Sequence, residues 1–158
     1  FKPLLMEHYS KLSSEKELIG IEYESDFAEG IEGKMQSSLK KDLILKRTNK
    51  GIHKDEFVFI MDDVPVKKFG SQGQQKSYLI ALKLANFDFL KNQLGVKPIL
   101  LLDDIFDKLD DNRIGKLLEM LSAEKFGQVF ITDARPERTR SLLQNIEAET
   151  KVIPVADL

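Results

Sequence analysis

Apolar residues change their spacing from segment to segment along the chain, and each spacing predicts an element. Leu4, Leu5, His8, Tyr9 and Leu12 share one helical face, and Ser13-Ser14 ends that helix. From Glu17 to Ser25 the period falls to two, with Leu18, Gly20 and Glu22 opposed to Ile19, Ile21 and Tyr23, which predicts a strand. Glu29 to Leu45 mixes charges with sparse apolar positions and predicts a solvated helix, with Gly30 and Gly33 weakening its start. After a turn at Thr48-Asn49-Lys50-Gly51, Phe57–Met61, Asp62-Asp63 and Val64-Pro65-Val66 predict a hairpin whose proline keeps the second strand short or at an edge. A long helix is expected from Gly73 to Leu94 with Tyr78, Leu82, Ala85 and Phe89 on one face, ended by Gly95 and Pro98. Pro98–Leu102 has the length and apolarity of a buried parallel strand. Ile114, Leu117, Leu118 and Leu121 then give an amphipathic helix over Asp111–Ser122. Val129–Thr132 predicts another buried strand, and Lys151–Val155 a candidate last one. Alternating strands and helices over the second half predict an α/β layered fold with a partly parallel sheet.

Composition narrows the class. The 158 residues, 42% hydrophobic and 32% charged, are about one domain's worth of ordinary globular chain. Twenty-four basic against 26 acidic residues leave a net charge of -2, which excludes a polyanion magnet spread over the whole molecule but not a local basic patch. Without cysteine there is no disulfide, thiol catalysis or thiolate metal site, and His8 and His53 are too few for a histidine cage. The longest solid apolar run, Ile99-Leu100-Leu101-Leu102, is far too short for a membrane span. Nothing at the start resembles a signal peptide, so the expected setting is cytoplasmic, and the opening at Phe1 reads as the middle of a longer protein.

Four segments could carry chemistry. Ile99–Leu102 feeds Asp103-Asp104 at the carboxyl end of a strand, the edge of an open α/β sheet where ligands sit. Two adjacent carboxylates without a cation in the run suit a Mg²⁺ site, one directing the ion and the other orienting water. They equally suit a plain cap on the next helix or loop. Phe69-Gly70-Ser71-Gln72-Gly73-Gln74-Gln75-Lys76 opens the long helix, where free amides bind anions and Gly73 lets a phosphate approach the backbone; a plain Ser-capped helix is the alternative. Asp107-Lys108-Leu109-Asp110 and Gly51-Ile52-His53-Lys54-Asp55-Glu56 read singly as a charged turn and an exposed charged loop.

In their order and spacing the four resemble the ABC-type ATPase head: Ser71–Gln74 as the signature motif, the run into Asp103-Asp104 as the Walker B strand, and Asp107–Asp110 as the D-loop. Within that superfamily, the segment from Gly51 to Glu56, that from Phe69 to Lys76, Ala81-Leu82-Lys83-Leu84-Ala85, Leu101–Asp104 and Gln128–Thr132 are similar to the RecF family of bacterial recombination and repair proteins. The resemblance implies an ABC-ATPase-like α/β head, a partly parallel sheet with flanking helices, plus part of a helical arm lobe. Residues 1–55 would belong to the arm lobe and 56–158 to the carboxyl-terminal part of the head. It further implies ATP and Mg²⁺ as cofactors, an ATP-dependent homodimer, sequence-independent binding to DNA at junctions or gaps, RecO and RecR as partners, and help in loading the RecA recombinase. By the same resemblance Asp103 would hold Mg²⁺, and Asp104 would stand where many relatives carry a water-polarising Glu. Ser71, Gln72, Gly73 and Gln74 would meet the γ-phosphate bound to the opposite subunit, and Asp110 would line the dimer seam.

The chain departs from that pattern in two ways. No G-x-x-x-x-G-K-[ST] loop is present, Gly30-Ile31-Glu32-Gly33-Lys34-Met35 having the wrong spacing, so this chain alone is not expected to form a complete ATP site. Where many relatives place a His after the penultimate strand, Thr132-Asp133 stand instead. Lys40, Lys41, Lys46, Arg47, Lys50 and Lys54 form the densest basic stretch, suited either to DNA phosphates or to a solvated face; Arg135, Arg138 and Arg140 form a weaker second cluster. Two other classes fit some of these residues: a structural head serving only for dimerisation, and a Mg²⁺-dependent receiver module with Asp133 as its third acid.

Overall fold

The computed structural model describes residues 1–13, 17–27, 30–122, 125–144, 146 and 148–155. Pro3, tolerated in the first turn because its missing N–H has no intrahelical partner, opens helix α1 (Lys2–Leu12), which buries Leu5, His8, Tyr9 and Leu12. Strand β1 (Ile19–Glu24) pairs antiparallel with β2 (Glu56–Met61), placing Ile19 opposite Met61 and Tyr23 opposite Phe57. The Asp62-Asp63 turn takes φ of 47° and 63°, the doubly left-handed geometry that matches the twist of hairpin strands. The short β3 (Val64–Pro65) follows it, with its proline at the sheet edge as expected. Between β1 and β2, α2 (Glu32–Leu45) buries no residue. It starts three residues later than the sequence pattern suggests, because Gly30 at φ +114° lies outside helical space.

Two turns of the chain then aim the long helix. A four-residue helix α3 (Val66–Phe69), which carries too few residues to show a period, buries Val66. Helix α4 (Gln72–Leu94) comes next, capped by Ser71 and closed by Gly95 at φ 69°. It is buried on more than the single expected face: Ser77, Ile80, Ala81, Leu84, Phe87 and Asp88 are enclosed along with Tyr78 and Ala85, whereas Phe89 is 40% exposed. The reason is that α1 packs along it while Tyr78 meets Phe59 of β2 and the Gly20 carbonyl of β1, and Phe87 meets Phe126.

Two further strands, β4 (Leu100–Leu102) and β5 (Val129–Ile131), run parallel in register Leu100↔Val129 and Leu102↔Ile131, joined through α5 (Asp111–Ser122). Only one face of this pair is covered. Leu100 and Leu102 are buried, while Leu101 and its partner Phe130 are 63% and 49% exposed, so neither strand is the doubly buried one expected from its composition. A final helix α6 (Pro136–Leu143) begins at a proline and is not among the expected elements; residues 151–154, expected as a strand, have no regular structure.

One core serves the described chain. Tyr9, Leu12 and Ile19 belong to the same cluster as Leu84, Leu102, Phe106, Ile114 and Leu117, so residues on both sides of position 55 contribute to it. Fully burying each such aliphatic side chain is worth about 1.5–3 kcal/mol. At the centre of the α1–α4 contact, His8 Nε2 donates to Asp88 Oδ2 at 2.7 Å, and Lys125 Nζ reaches the same oxygen at 2.6 Å. Burial holds the His8 imidazole below its ordinary value against the pull of Asp88. Burial pushes the Asp88 carboxyl up, but its bonds to Lys125 and His8 outweigh that and hold it below 3.8. The three groups therefore act as a neutral imidazole beside a carboxylate–ammonium pair, a hydrogen-bonded arrangement that makes the burial of charge tolerable.

Candidate functional site

The amino end of α4 is fixed by its own sequence. Ser71 Oγ accepts from the Gln74 backbone N–H at 3.2 Å, and Gln74 Oε1 accepts from the Ser71 N–H at 2.7 Å, a reciprocal capping box. Ser71 and Gln72 remain exposed, with the helix N-terminus behind them. Gly73 has a packing reason to lack a side chain: an added Cβ would lie 2.9 Å from Arg113 Nη1 and 3.6 Å from the Lys108 carbonyl oxygen. Gln74 is tied in a second direction, its Nε2 donating to Glu17 Oε1 at 2.5 Å.

Asp103 and Asp104 succeed β4 at its carboxyl end, both exposed. Thr132, at the matching end of β5, links them: its hydroxyl donates to Asp103 Oδ1 and accepts from the Asp104 N–H at 3.0 Å. Asp104 takes φ 46°, a left-handed conformation that a short polar residue adopts at modest cost. Its carbonyl accepts from Lys76 Nζ at 2.7 Å, which joins the first turns of α4 to the acidic turn. Asp103 also borders a shallow depression shared with Lys76, Lys83, Leu102 and Ile105.

Asp110 caps α5, its Oδ1 accepting from the Arg113 N–H at 2.8 Å while Oδ2 pairs with Arg113 Nη1 at 3.2 Å. The same guanidinium that holds Asp110 thus lies against Gly73. Tertiary structure brings Ser71–Gln74, Asp103-Asp104 and Lys108–Asp110 onto one surface through Lys76 and Arg113, although each also fulfils the ordinary capping role that its local sequence allows. Three members of this constellation are given no role from the sequence alone, although Lys76 falls within the Phe69–Lys76 segment. Arg113 is readable as an i, i+3 partner of Asp110. Lys76 carries no signal beyond lying in the helix's first turns. Glu17 carries none, standing 57 residues from Gln74.

Asp103 Oδ2 and the Asp104 carboxylate accept no hydrogen bond among the described residues, so both retain oxygen ligands for a hydrated Mg²⁺ ion, which favours one or two carboxylates and keeps its waters. Asp133 does not join them: its Oδ2 accepts from Thr139 Oγ1 at 2.6 Å and from the Arg135 N–H at 3.2 Å. Among the described residues no group of three or more acidic or His side chains could hold a metal ion, which removes the three-acid basis of a receiver module.

The basic segments differ. Lys40, Lys41 and Lys46 are exposed on or beside α2, and Lys50 pairs with Asp26. The second cluster is engaged internally: Arg138 with Asp111 at 2.9 Å, Arg140 with Glu137 at 3.4 Å, and Arg135 near Asp107 and Asp133. In the Gly51–Glu56 loop, His53 folds back over Gly51 and its Nε2 lies 3.2 Å from the Thr48 carbonyl, while Asp55 accepts from the Tyr23 hydroxyl. No helix of the described residues is long and apolar enough to cross a membrane.

No family model matches the chain. Curated relatives do. The DNA replication and repair protein RecF of Flavobacterium johnsoniae is 49% identical over 153 residues, covering 96% of this chain and 43% of the relative. The protein of that name from Cytophaga hutchinsonii is 51% identical over 144 residues, 90% of this chain and 38% of its own. The chain therefore spans less than half the length of the relatives it matches. Among solved structures, the recombination mediator protein RecF-ATPrS of the RecFOR pathway superimposes with a TM-score of 0.66 at 28% identity, over 85% of this chain and 38% of that one. A RecF-ATP structure of the same pathway gives 0.64 at 25% identity, over 92% and 41%.

Proposed function

The chain belongs to the RecF family, and on that basis we propose that it supplies the signature, Walker B and D-loop side of an ATP-dependent dimer clamp acting in DNA repair and recombination. The observation that carries this reading is the convergence of Ser71–Gln74, Asp103-Asp104 and Asp110 on one surface, tied by Lys76 and Arg113. Residues 56–158 would form part of the head and residues 1–55 part of the arm lobe, with α1 and β1 sharing the core of the head.

Gly73 and Gln74 apart, each residue's role is the one that the family resemblance implies, and its geometry supports it. Ser71, Gln72 and the N-terminal amides of α4 offer donors to the γ-phosphate held by an opposing subunit, where the helix dipole favours negative charge. Gly73, lacking a side chain, lets the Arg113 guanidinium pack against the turn. Gln74, with both ends of its amide in use, shapes the turn instead of contacting phosphate directly. Asp103 would hold Mg²⁺ through water, and bound Mg²⁺ neutralises charge developing on the phosphoryl oxygens. Asp104 orients the attacking water; an Asp reaches one methylene less far than a Glu, and slow hydrolysis results from so steep a dependence on position. Nucleotide charge is then satisfied only when two heads meet, and hydrolysis releases them. Exposed Lys40, Lys41 and Lys46 suit contact with DNA phosphates without base recognition. The RecFOR pathway named for the similar solved structures supports RecO and RecR as partners, and the loading of RecA at gapped DNA is the outcome that the family resemblance implies.

The test is light scattering on a chain completed to the length of the relatives, with and without Mg-ATP, beside Ser71→Arg. An ATP-dependent doubling of mass that Ser71→Arg abolishes is expected. Unchanged mass in the unmutated protein, with ATP binding measured separately, overturns the clamp.

A further inference from the structure

We propose that Glu17, through Gln74, is the positioning residue of the signature turn, a deepening that rests on the dimer-clamp reading above. Gln74 sits in the capping box with its amide oriented in one sense only. The oxygen must face the Ser71 N–H, a donor, and the nitrogen must face the Glu17 carboxylate, an acceptor. Rotating the amide would break both bonds at once.

Glu17 is itself held from the other side. Its Oε2 accepts from Ser13 Oγ at 3.1 Å and from the hydroxyl of Tyr9, which is 1% exposed in the α1 face of the core. A rigid path therefore runs from the buried end of α1, through one carboxylate, into the turn that presents Ser71. On the opposite flank Arg113 packs against Gly73 while paired with Asp110, so the turn is gripped between an acid and a base carried by different elements. Glu17 lies just before β1. A shift of β1 relative to α4 thus changes the aim of the signature without any residue touching nucleotide.

The experiment measures the ATP concentration for half-maximal dimerisation in a chain of the relatives' full length, together with nucleotide binding to the monomer and the melting midpoint. Glu17→Ala is expected to raise the half-maximal concentration about tenfold, the effect of one charge-assisted hydrogen bond, with monomer binding unchanged. Glu17→Gln, which keeps an acceptor for Gln74, should recover most of the loss. Gln74→Ala should behave as Glu17→Ala, and the double variant no worse than either. Because Glu17→Ala takes the carboxylate from the buried Tyr9 hydroxyl and leaves it the weaker Met61 Sδ at 3.9 Å, Tyr9→Phe/Glu17→Ala is the control: it should melt near the parent and still dimerise poorly. Normal dimerisation by Glu17→Ala and by this control, while Ser71→Arg fails, overturns the positioning role and leaves the clamp standing. Absence of ATP-dependent dimerisation in the parent overturns the clamp, and the positioning role with it.

Discussion

Replacing Gly73 by alanine sets two opposing effects against each other. The new Cβ would lie 2.9 Å from Arg113 Nη1, so the guanidinium must retreat about half an ångström to reach an ordinary contact. Nη1 is the far end of a flexible side chain, and the retreat stretches its 3.2 Å bond to Asp110 Oδ2, an ion pair of which the Arg is 15% and the Asp 55% exposed. Such a pair is worth about 0.3–0.5 kcal/mol. Against this, alanine in a helix gains about 0.5–1 kcal/mol over glycine, less within the first turn than in the interior. The Asp110 cap on the Arg113 N–H is untouched. Folding stability by urea unfolding should therefore stay within about 0.5 kcal/mol of the parent. ATP-dependent dimerisation in the completed chain should fall about tenfold, because the displaced guanidinium loosens the turn that presents Ser71. Adding Arg113→Ala removes the clash, so the two changes should couple instead of adding. A loss of stability beyond about 2 kcal/mol, or strict additivity with Arg113→Ala, would refute the geometry.

Other expectations come from single features. Ser71→Ala removes one half of the capping box and should lower stability by about 1 kcal/mol in a urea titration, with Ser71→Asp retaining most of it. Asp104→Asn in the completed chain should leave ATP-dependent dimerisation intact and lengthen the lifetime of the dimer, read by subunit exchange; an unchanged lifetime would mean that Asp104 does not activate water. His8, held below 6.5, is neutral in the fold and protonated more readily when unfolded, so its contribution to stability is present above 6.5 and lost as pH falls below it. Asp88, held below 3.8, adds a second loss below that value. Melting midpoints should accordingly drop on acidification past 6.5, with a flatter profile for His8→Gln. Leu102→Ala should cost about 2–5 kcal/mol, and Leu101→Ala in the same 158-residue chain under about 0.5 kcal/mol, since only one face of the parallel pair is covered.

How far the fold is legible from the residues depends on the range of the interaction. Ile114, Leu117 and Leu118 face inward on α5 because a helical period is a local property. Asp62-Asp63 turns the hairpin because two short polar residues tolerate left-handed backbone. Ser71 caps α4, Gly95 ends it, and Asp110 caps α5, all within a few residues of where they act. Helix α6 carries local signals too, Pro136 at its first turn and Glu137 beside it, yet it is not among the expected elements because its arginines present themselves first as a basic cluster.

Contacts between near neighbours suffice for these elements, for the order of the motifs and for the acid pair after β4, so all of them can be read along the chain. Packing is needed to settle that Leu101 and Phe130 stay exposed, since a strand's composition does not say how many faces are covered. Packing also leaves residues 151–154 without a strand partner, and a strand exists only where a ladder forms. Above all, it is packing that lets Glu17 grip Gln74 and sets Arg113 beneath Gly73: hydrogen bonds between residues far apart in the chain leave no period behind, and only the folded core brings their partners within reach.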